Sequence, residues 1–407
     1  MADNGILFLG SIMTGAINYA LYPVISRFIT TQQFGEVQIL ISLMAQLAIF
    51  SQVLRIFVVN TLKEETKKDA IAQFLRNTSR TLLLITAGIG LFSLALAPLI
   101  SNTLQFENWW PLVPTVVAVI AGLQFVLPVS YMQSRQRFDR VALLQFSQAL
   151  FKLVLAASAG WLGFGSTGIM AGVALAAIYN AWQARKHLDI APSQGSTKAK
   201  FAGTALRAHA NYIVLISLSL LSVLVLMSLD TFFVKEAFDP DTAGLYAGIA
   251  VVARTLFFLT ASFSAVMISK VKPSQSMQSN IRNYTGSLGL MALIGGSGLL
   301  VMWAVPGTVT RILLGDIYVQ YAHLLPRLSL ALGLLGIINI IVNFHVALRE
   351  RYIIGPILAG LAITTALLVA NNESLESIAS HFASGIAITL GLCAAWTITW
   401  CLRNQNS

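Results

Sequence analysis

Apolar residues run along this chain in long unbroken stretches separated by short polar segments. Each stretch is about 20 residues, the length an α-helix needs to cross the hydrocarbon core. The strands of a membrane barrel would instead alternate apolar and polar residues over roughly ten positions. The pattern predicts twelve spanning helices. The first six lie near 5–28, 36–59, 80–103, 110–131, 141–160 and 164–184, and the second six near 209–233, 243–268, 284–305, 325–346, 353–371 and 382–402. A polar stretch at 185–207, with Pro192, Ser193, Gly195 and Ser196, reads as a linker. The expected organisation is a six-helix lobe over 1–184, the linker 185–207 and a second six-helix lobe over 208–407.

Composition agrees with this pattern. Of the 407 residues, 56% are apolar and only 10% are charged. Soluble domains average about 25% charged residues. The surplus apolar surface must face lipid, where only helices or closed barrels satisfy every backbone polar group. The net charge of +10 would suggest nucleic acid in a soluble protein, but here the basic residues gather in alternate loops. One set of loops carries about 19 Lys and Arg and the opposite set only Arg27, Lys235, Arg311 and Arg327. The basic set is expected in the cytoplasm, with both termini inside. Trp109, Trp110 and Trp400 sit where interfacial anchors belong. The first apolar run lacks a convincing cleavage site and reads as a span. Cys393 and Cys401 read as small lipid-buried residues.

The two halves read as a repeat. The stretch 25–39 is similar to 234–248, with Gly35 and Gly244 placed 209 residues apart. Arg135-Gln136-Arg137-Phe138 is similar to Arg349-Glu350-Arg351-Tyr352, 214 residues apart. Each half has an even number of spans, so the expected symmetry axis lies along the membrane normal, with a substrate route between the halves.

An ionisable group in mid-bilayer costs at least ~2.5–3.5 kcal/mol and normally faces water or a partner. Lys152 lies roughly 16 Å into the fifth span at 1.5 Å per residue. Gln145, Gln148 and Lys152 follow i, i+3, i+7 spacing, so they share one helix face. Arg254 lies similarly deep in the eighth span. One buried cation per half would suit a clamp on an anionic substrate; the alternative is structural pairing, for example of Arg254 with Asp230. Arg55, with Gln52 at i−3, either lines the cavity or snorkels to the interface. Asp230 pairs with Arg254 or Lys235, or binds a coupling cation. Ser11, Thr14, Gly15 and Asn18 share a face that reads equally as cavity wall or as packing seam. Asn343 and His345 read as packing or interface residues, and Tyr212, Tyr246 and Tyr321 as sugar contacts or interfacial anchors. Metal-ligand clusters, nucleotide loops and catalytic triads do not stand out, so neither a cofactor nor chemistry on the substrate is expected.

The chain resembles the polysaccharide-biosynthesis flippases, which include O-antigen flippases. They share a superfamily with multidrug and toxin extrusion transporters and lipid II flippases. The resemblance rests on Asn18-Tyr19 with Pro23, Ser26-Arg27-Phe28 before Phe34-Gly35-Glu36, Arg135 to Arg140, and Leu229-Asp230-Thr231 through Ala243-Gly244-Leu245-Tyr246 to Arg254. It implies two lobes that rock around a central cavity. It also implies transport of an undecaprenyl-diphosphate-linked oligosaccharide to the outer leaflet of a bacterial inner membrane. Asn18, Arg27, Asp230 and Arg254 match recurring family positions, while Lys152 and Arg55 rest on depth alone. Many members have fourteen spans, against twelve here. The implied associates are lipid-linked oligosaccharide, membrane lipids and, by function, a polymerase and glycosyltransferases. Two other readings are a cation-coupled multidrug exporter and a membrane-bound sugar polymerase or ligase. The first lacks an acid in the first span, and the second lacks a sizeable external loop. A scaffolding role would not need mid-membrane cations.

Overall fold

The structure is a computed structural model that describes residues 2–62, 68–186, 188 and 203–405. It is all-helical over the described residues, with fourteen α-helices and one 3₁₀ segment. The chain divides into two compact units, 1–210 and 211–407.

The first unit contains α1 (Ala2–Ile25), α2 (Thr31–Leu62), α3 (Lys68–Ala95), α4 (Ala97–Thr103), α5 (Leu112–Ser134), α6 (Phe138–Trp161) and α7 (Gly165–Lys186). Here α1 lies along α6, α7 packs on α5 and α6, and α2 and α3 lean on α5. The contact of α5, α6 and α7 is filled by Phe125, Val129, Met132, Val141, Leu144, Ala181 and Ala184. A second cluster joins Val58, Leu62, Ile71, Phe74, Leu127 and Tyr131 from α2, α3 and α5. At Gly172 of α7 an added Cβ would come within 2.7 Å of the Ala156 backbone nitrogen, so only glycine permits this approach of α7 to α6.

The second unit contains most of α8 (Gly203–Ala237), then α9 (Pro240–Lys270), α10 (Met277–Ala304), α11 (Pro306–Leu314), the 3₁₀ segment Asp316–Leu324, α12 (Leu325–Ala347), α13 (Ile354–Ala370) and α14 (Leu375–Gln405). Its centre is α12, which packs along α9 and α14 and buries more than half of its residues. Asp239 caps the start of α9 by accepting the Thr242 N–H at 3.0 Å. That bond holds its carboxyl below the usual range.

Twelve of these helices are 17 residues or longer, and they coincide with the twelve predicted spans. Nine are long and apolar enough to cross a membrane, counting described residues only. The boundaries shift at two of these spans. The predicted span 80–103 is α3 followed by a break at Leu96 and the short α4, because Pro98 in the first turn of α4 has no N–H to continue the helix. The seventh span is longer than predicted, and α8 takes in residues 203–207 of the expected linker. Residues 187 and 189–202 of that linker, Lys198 and Lys200 among them, lie outside the described residues, as do Lys63 and Lys67.

The repeat is visible in backbone geometry. The α5–α6 and α12–α13 turns place a non-glycine residue in the left-handed region, Gln136 at φ 58° and Arg349 at φ 59°. In each turn the following N–H reaches back five residues, Arg137 to the Met132 carbonyl at 3.0 Å and Glu350 to the His345 carbonyl at 2.9 Å. The two turns therefore superpose at an offset of 213 residues, one fewer than the side-chain pattern suggests. The other pair keeps its spacing, since α2 begins at Thr31 and α9 at Pro240.

Candidate functional site

The helical face at Gln145, Gln148 and Lys152 on α6 packs beside Thr14, Gly15 and Asn18 on α1. Together with Ala149 they enclose a cavity of about 470 Å³. Glycine at 15 leaves open space where any side chain would intrude. Ala149 on the lining is buried. Lys152 stands 14 residues from the start of α6 and nine from its end. At 1.5 Å per residue that is about 21 Å and 14 Å, well inside the hydrocarbon layer.

The polar lining of this cavity is not engaged by the protein. Among the described residues, Asn18, Gln145, Gln148 and Lys152 make no side-chain hydrogen bond or ion pair. The Thr14 hydroxyl oxygen is buried and also has no hydrogen-bond partner. Buried polar groups are ordinarily paired, so a cluster left open is fit for water or a polar ligand. Among the described lining residues there is one cation and no carboxylate. Three amides and a hydroxyl add neutral donors and acceptors. Next to the cavity, Ser147 turns the other way and donates to Asn180 Oδ1 at 3.0 Å, which fastens α6 to α7.

The other expected site residues lie elsewhere. Arg55 is half-buried on α2, its Nε is buried without a hydrogen-bond partner, and it does not line the cavity. Arg254 on α9 is only 3% exposed. Its Nη2 lies 3.8 Å from Asp230 Oδ1 and 2.6 Å from the Thr231 hydroxyl, and its Nε donates to the Met227 carbonyl at 3.1 Å. Asp230 in turn accepts from the Tyr246 hydroxyl at 3.0 Å. Two expectations are corrected here. Arg254 does not line the cavity at Lys152; a buried carboxylate one helix away engages it instead. Tyr246 is neither a sugar contact nor an interfacial anchor, because it is fully buried and donates to Asp230. Asp230 itself pairs with Arg254. The side chains of Ser11 and Tyr212 lie outside the described residues.

Two buried carboxylates escaped the sequence reading as organising residues. Glu36, fully buried near the start of α2, accepts from the Ser166 hydroxyl at 2.5 Å and the Glu107 N–H at 2.6 Å. It joins α2, the loop before α5 and the start of α7. The available signal was the single acidic residue of the long α2. Glu350 lies after α12, where its carboxylate meets His345 Nδ1 at 3.0 Å and accepts the Tyr352 and Ile353 N–H groups at 2.5 and 3.1 Å. Burial pushes its carboxyl up, but His345 and those N–H groups outweigh burial and hold it below the usual range. His345 also meets the Thr397 hydroxyl at 3.0 Å, which ties the end of α12 to α14.

No protein-family model matches the chain, and no curated protein matches it. Solved structures do. An inward-facing MATE-family multidrug resistance transporter of the MOP superfamily aligns with a TM-score of 0.74 at 10% identity, covering 97% of this chain and 96% of that one. The lipid II flippase MurJ, in an inward closed conformation, aligns at 0.71 and 12% identity, covering 98% and 90%. A eukaryotic MATE transporter aligns at 0.65 and 13% identity, covering 100% and 98%. These likenesses run the length of the chain, and at such identities they speak for architecture alone: the protein has the two-lobed, all-helical transporter fold common to MATE transporters and MurJ.

Proposed function

We propose that the protein is a flippase that moves a lipid-linked oligosaccharide across a bacterial cytoplasmic membrane for polysaccharide assembly. The observation that carries this reading is the cavity at Lys152: one unpaired cation in mid-membrane, ringed by unengaged amides, with no carboxylate on the described lining. An anionic phosphate linkage entering there would exchange its hydration for charge-assisted hydrogen bonds from Lys152. The amides of Asn18, Gln145 and Gln148 would meet sugar hydroxyls, and the polyprenyl tail would remain in lipid. The MurJ likeness supports a lipid-linked substrate, and the sequence resemblance points to polyprenyl diphosphate as the carrier. Transport proceeds by alternating access, with the cavity open to one membrane face at a time and both termini in the cytoplasm. Polymerase and glycosyltransferases are the enzymes such a flippase would serve.

The fold supports a second reading equally, a cation-coupled multidrug exporter, since several neighbours are MATE transporters. The charge of the described lining supports the first reading. A cationic drug calls for a carboxylate, yet the described lining offers Lys152 and no carboxylate, and Asp230 is bonded to Arg254 and Tyr246. The test is reconstitution of the full chain in vesicles. Transfer of a fluorescent lipid-linked oligosaccharide is expected, reduced at least tenfold by Lys152→Met and largely kept by Lys152→Arg. Efflux of a cationic dye without lipid transfer would give the case to the exporter.

A further inference from the structure

The number of charges in the cavity limits the charge of what it holds. Lys152 is the one charged group on the described lining; the other members are Thr14, Gly15, Asn18, Gln145, Gln148 and Ala149. Arg254, expected to supply a second positive charge, is engaged by Asp230, Thr231 and the Met227 carbonyl inside the second unit. Arg55 does not reach the lining. The described lining thus carries a formal charge of +1.

We infer that the cavity takes a lipid phosphate bearing a single negative charge, a phosphodiester such as a polyprenyl-monophosphate-linked sugar, in preference to a diphosphate. This rests on the anion-site reading above and departs from the diphosphate carrier that the sequence resemblance implies. A phosphodiester has one ionised oxygen pair near neutral pH, and one ammonium neutralises it. A diphosphate diester has two charges, so one would stay uncompensated about 14 Å from the nearer end of α6, where unpaired charge is expensive. Amide N–H groups and the Thr14 hydroxyl stabilise an anion but do not cancel its charge. The unengaged lining of one ammonium and four neutral polar side chains matches one phosphate with hydroxyl-bearing neighbours.

The same phosphodiester chemistry occurs in the headgroups of ordinary phospholipids, so the experiment must separate the two sources. The full chain is placed in phosphatidylcholine nanodiscs with EDTA present, so that no divalent cation supplies the missing charge. Short-chain polyprenyl-phosphate-hexose and polyprenyl-diphosphate-hexose are titrated in parallel. The expected result is at least tenfold tighter binding of the monophosphate, lost in Lys152→Gln. In Gln148→Lys, which adds a second cation one turn away, the preference should move towards the diphosphate. Phosphatidylglycerol competing as well as the sugar lipid would support the single-charge rule and make bilayer phospholipid the ligand. Equal or tighter diphosphate binding by the natural chain would overturn the rule while leaving an anion site at Lys152. Absence of binding for all three lipids would overturn the rule and the flippase reading together. Should Lys152→Gln fail to fold, Gln148→Lys decides alone, and an unmoved preference refutes the inference.

Discussion

Removal of Arg254 separates a structural ion pair from a substrate clamp. The Arg254 and Asp230 side chains are 4% and 1% exposed and 3.8 Å apart. At an effective dielectric constant of 20 their attraction is about 4 kcal/mol. Bringing both charges out of water costs several kcal/mol per ion, so the pair itself contributes little net stability. Deleting one partner is different, because the other is left buried and uncompensated, at a cost of about 3–5 kcal/mol. Arg254→Met also strips Thr231 and the Met227 carbonyl of their donor. The loss should appear as a fall in Tm on the order of 10 °C for a unit of about 200 residues. Asp230→Asn, which keeps an acceptor for Tyr246, should be milder than Arg254→Met. The double variant Arg254→Met with Asp230→Asn should recover most of the loss, because no unpaired charge remains. Tm is read by fluorescence-detected size exclusion of detergent-solubilised protein, and lipid transfer by the vesicle assay. A double variant that folds and transports confirms a structural pair. One that folds at the original Tm but loses transport means that Arg254 acts on substrate, and the single-cation account of the cavity is then wrong.

Three further outcomes are expected. Gly172→Ala should destabilise by about 1–3 kcal/mol and shift Tm accordingly, because the new methyl meets the Leu155–Ala156 backbone and not a yielding side chain. Glu350 has a carboxyl held low by His345 and two N–H groups, so its contribution is complete above the ordinary carboxylate pKa of about 4.3 and fades as pH falls through the lower folded value. Natural protein should therefore lose more Tm than Glu350→Gln on acidification from pH 6 to pH 3, and identical slopes would exclude a stabilising role for the Glu350 carboxylate. Asp239→Ala should cost about 1 kcal/mol in Tm titrations at neutral pH, since the Thr242 N–H at the start of α9 loses its cap, and Asp239→Asn should retain most of it.

Much of the architecture was legible in order along the chain. Twelve apolar runs became twelve long helices because, without water, an apolar segment has no other way to pair its backbone groups. The stripe Gln145, Gln148 and Lys152 became one wall of a cavity because helical spacing alone puts these residues on a common face. Asn18 joined them, and the ambiguity between packing seam and cavity wall at Thr14, Gly15 and Asn18 was resolved by the neighbour that α1 received. The repeat was readable too, although side-chain similarity missed its true register at Arg349 by one residue, because the shared feature is a backbone turn.

Sequence spacing determines which residues share a helix and a face. It says nothing of what stands opposite that face. Arg254 and Lys152 look alike in the sequence, two cations deep in apolar helices. Folding puts Arg254 against Asp230 and leaves Lys152 facing amides across an open cavity. The burial of Glu36 under Ser166, 130 residues away, was equally invisible. Local periodicity is a property of one helix, whereas the partner of a buried charge is set by which helices pack together, and only the folded chain decides that.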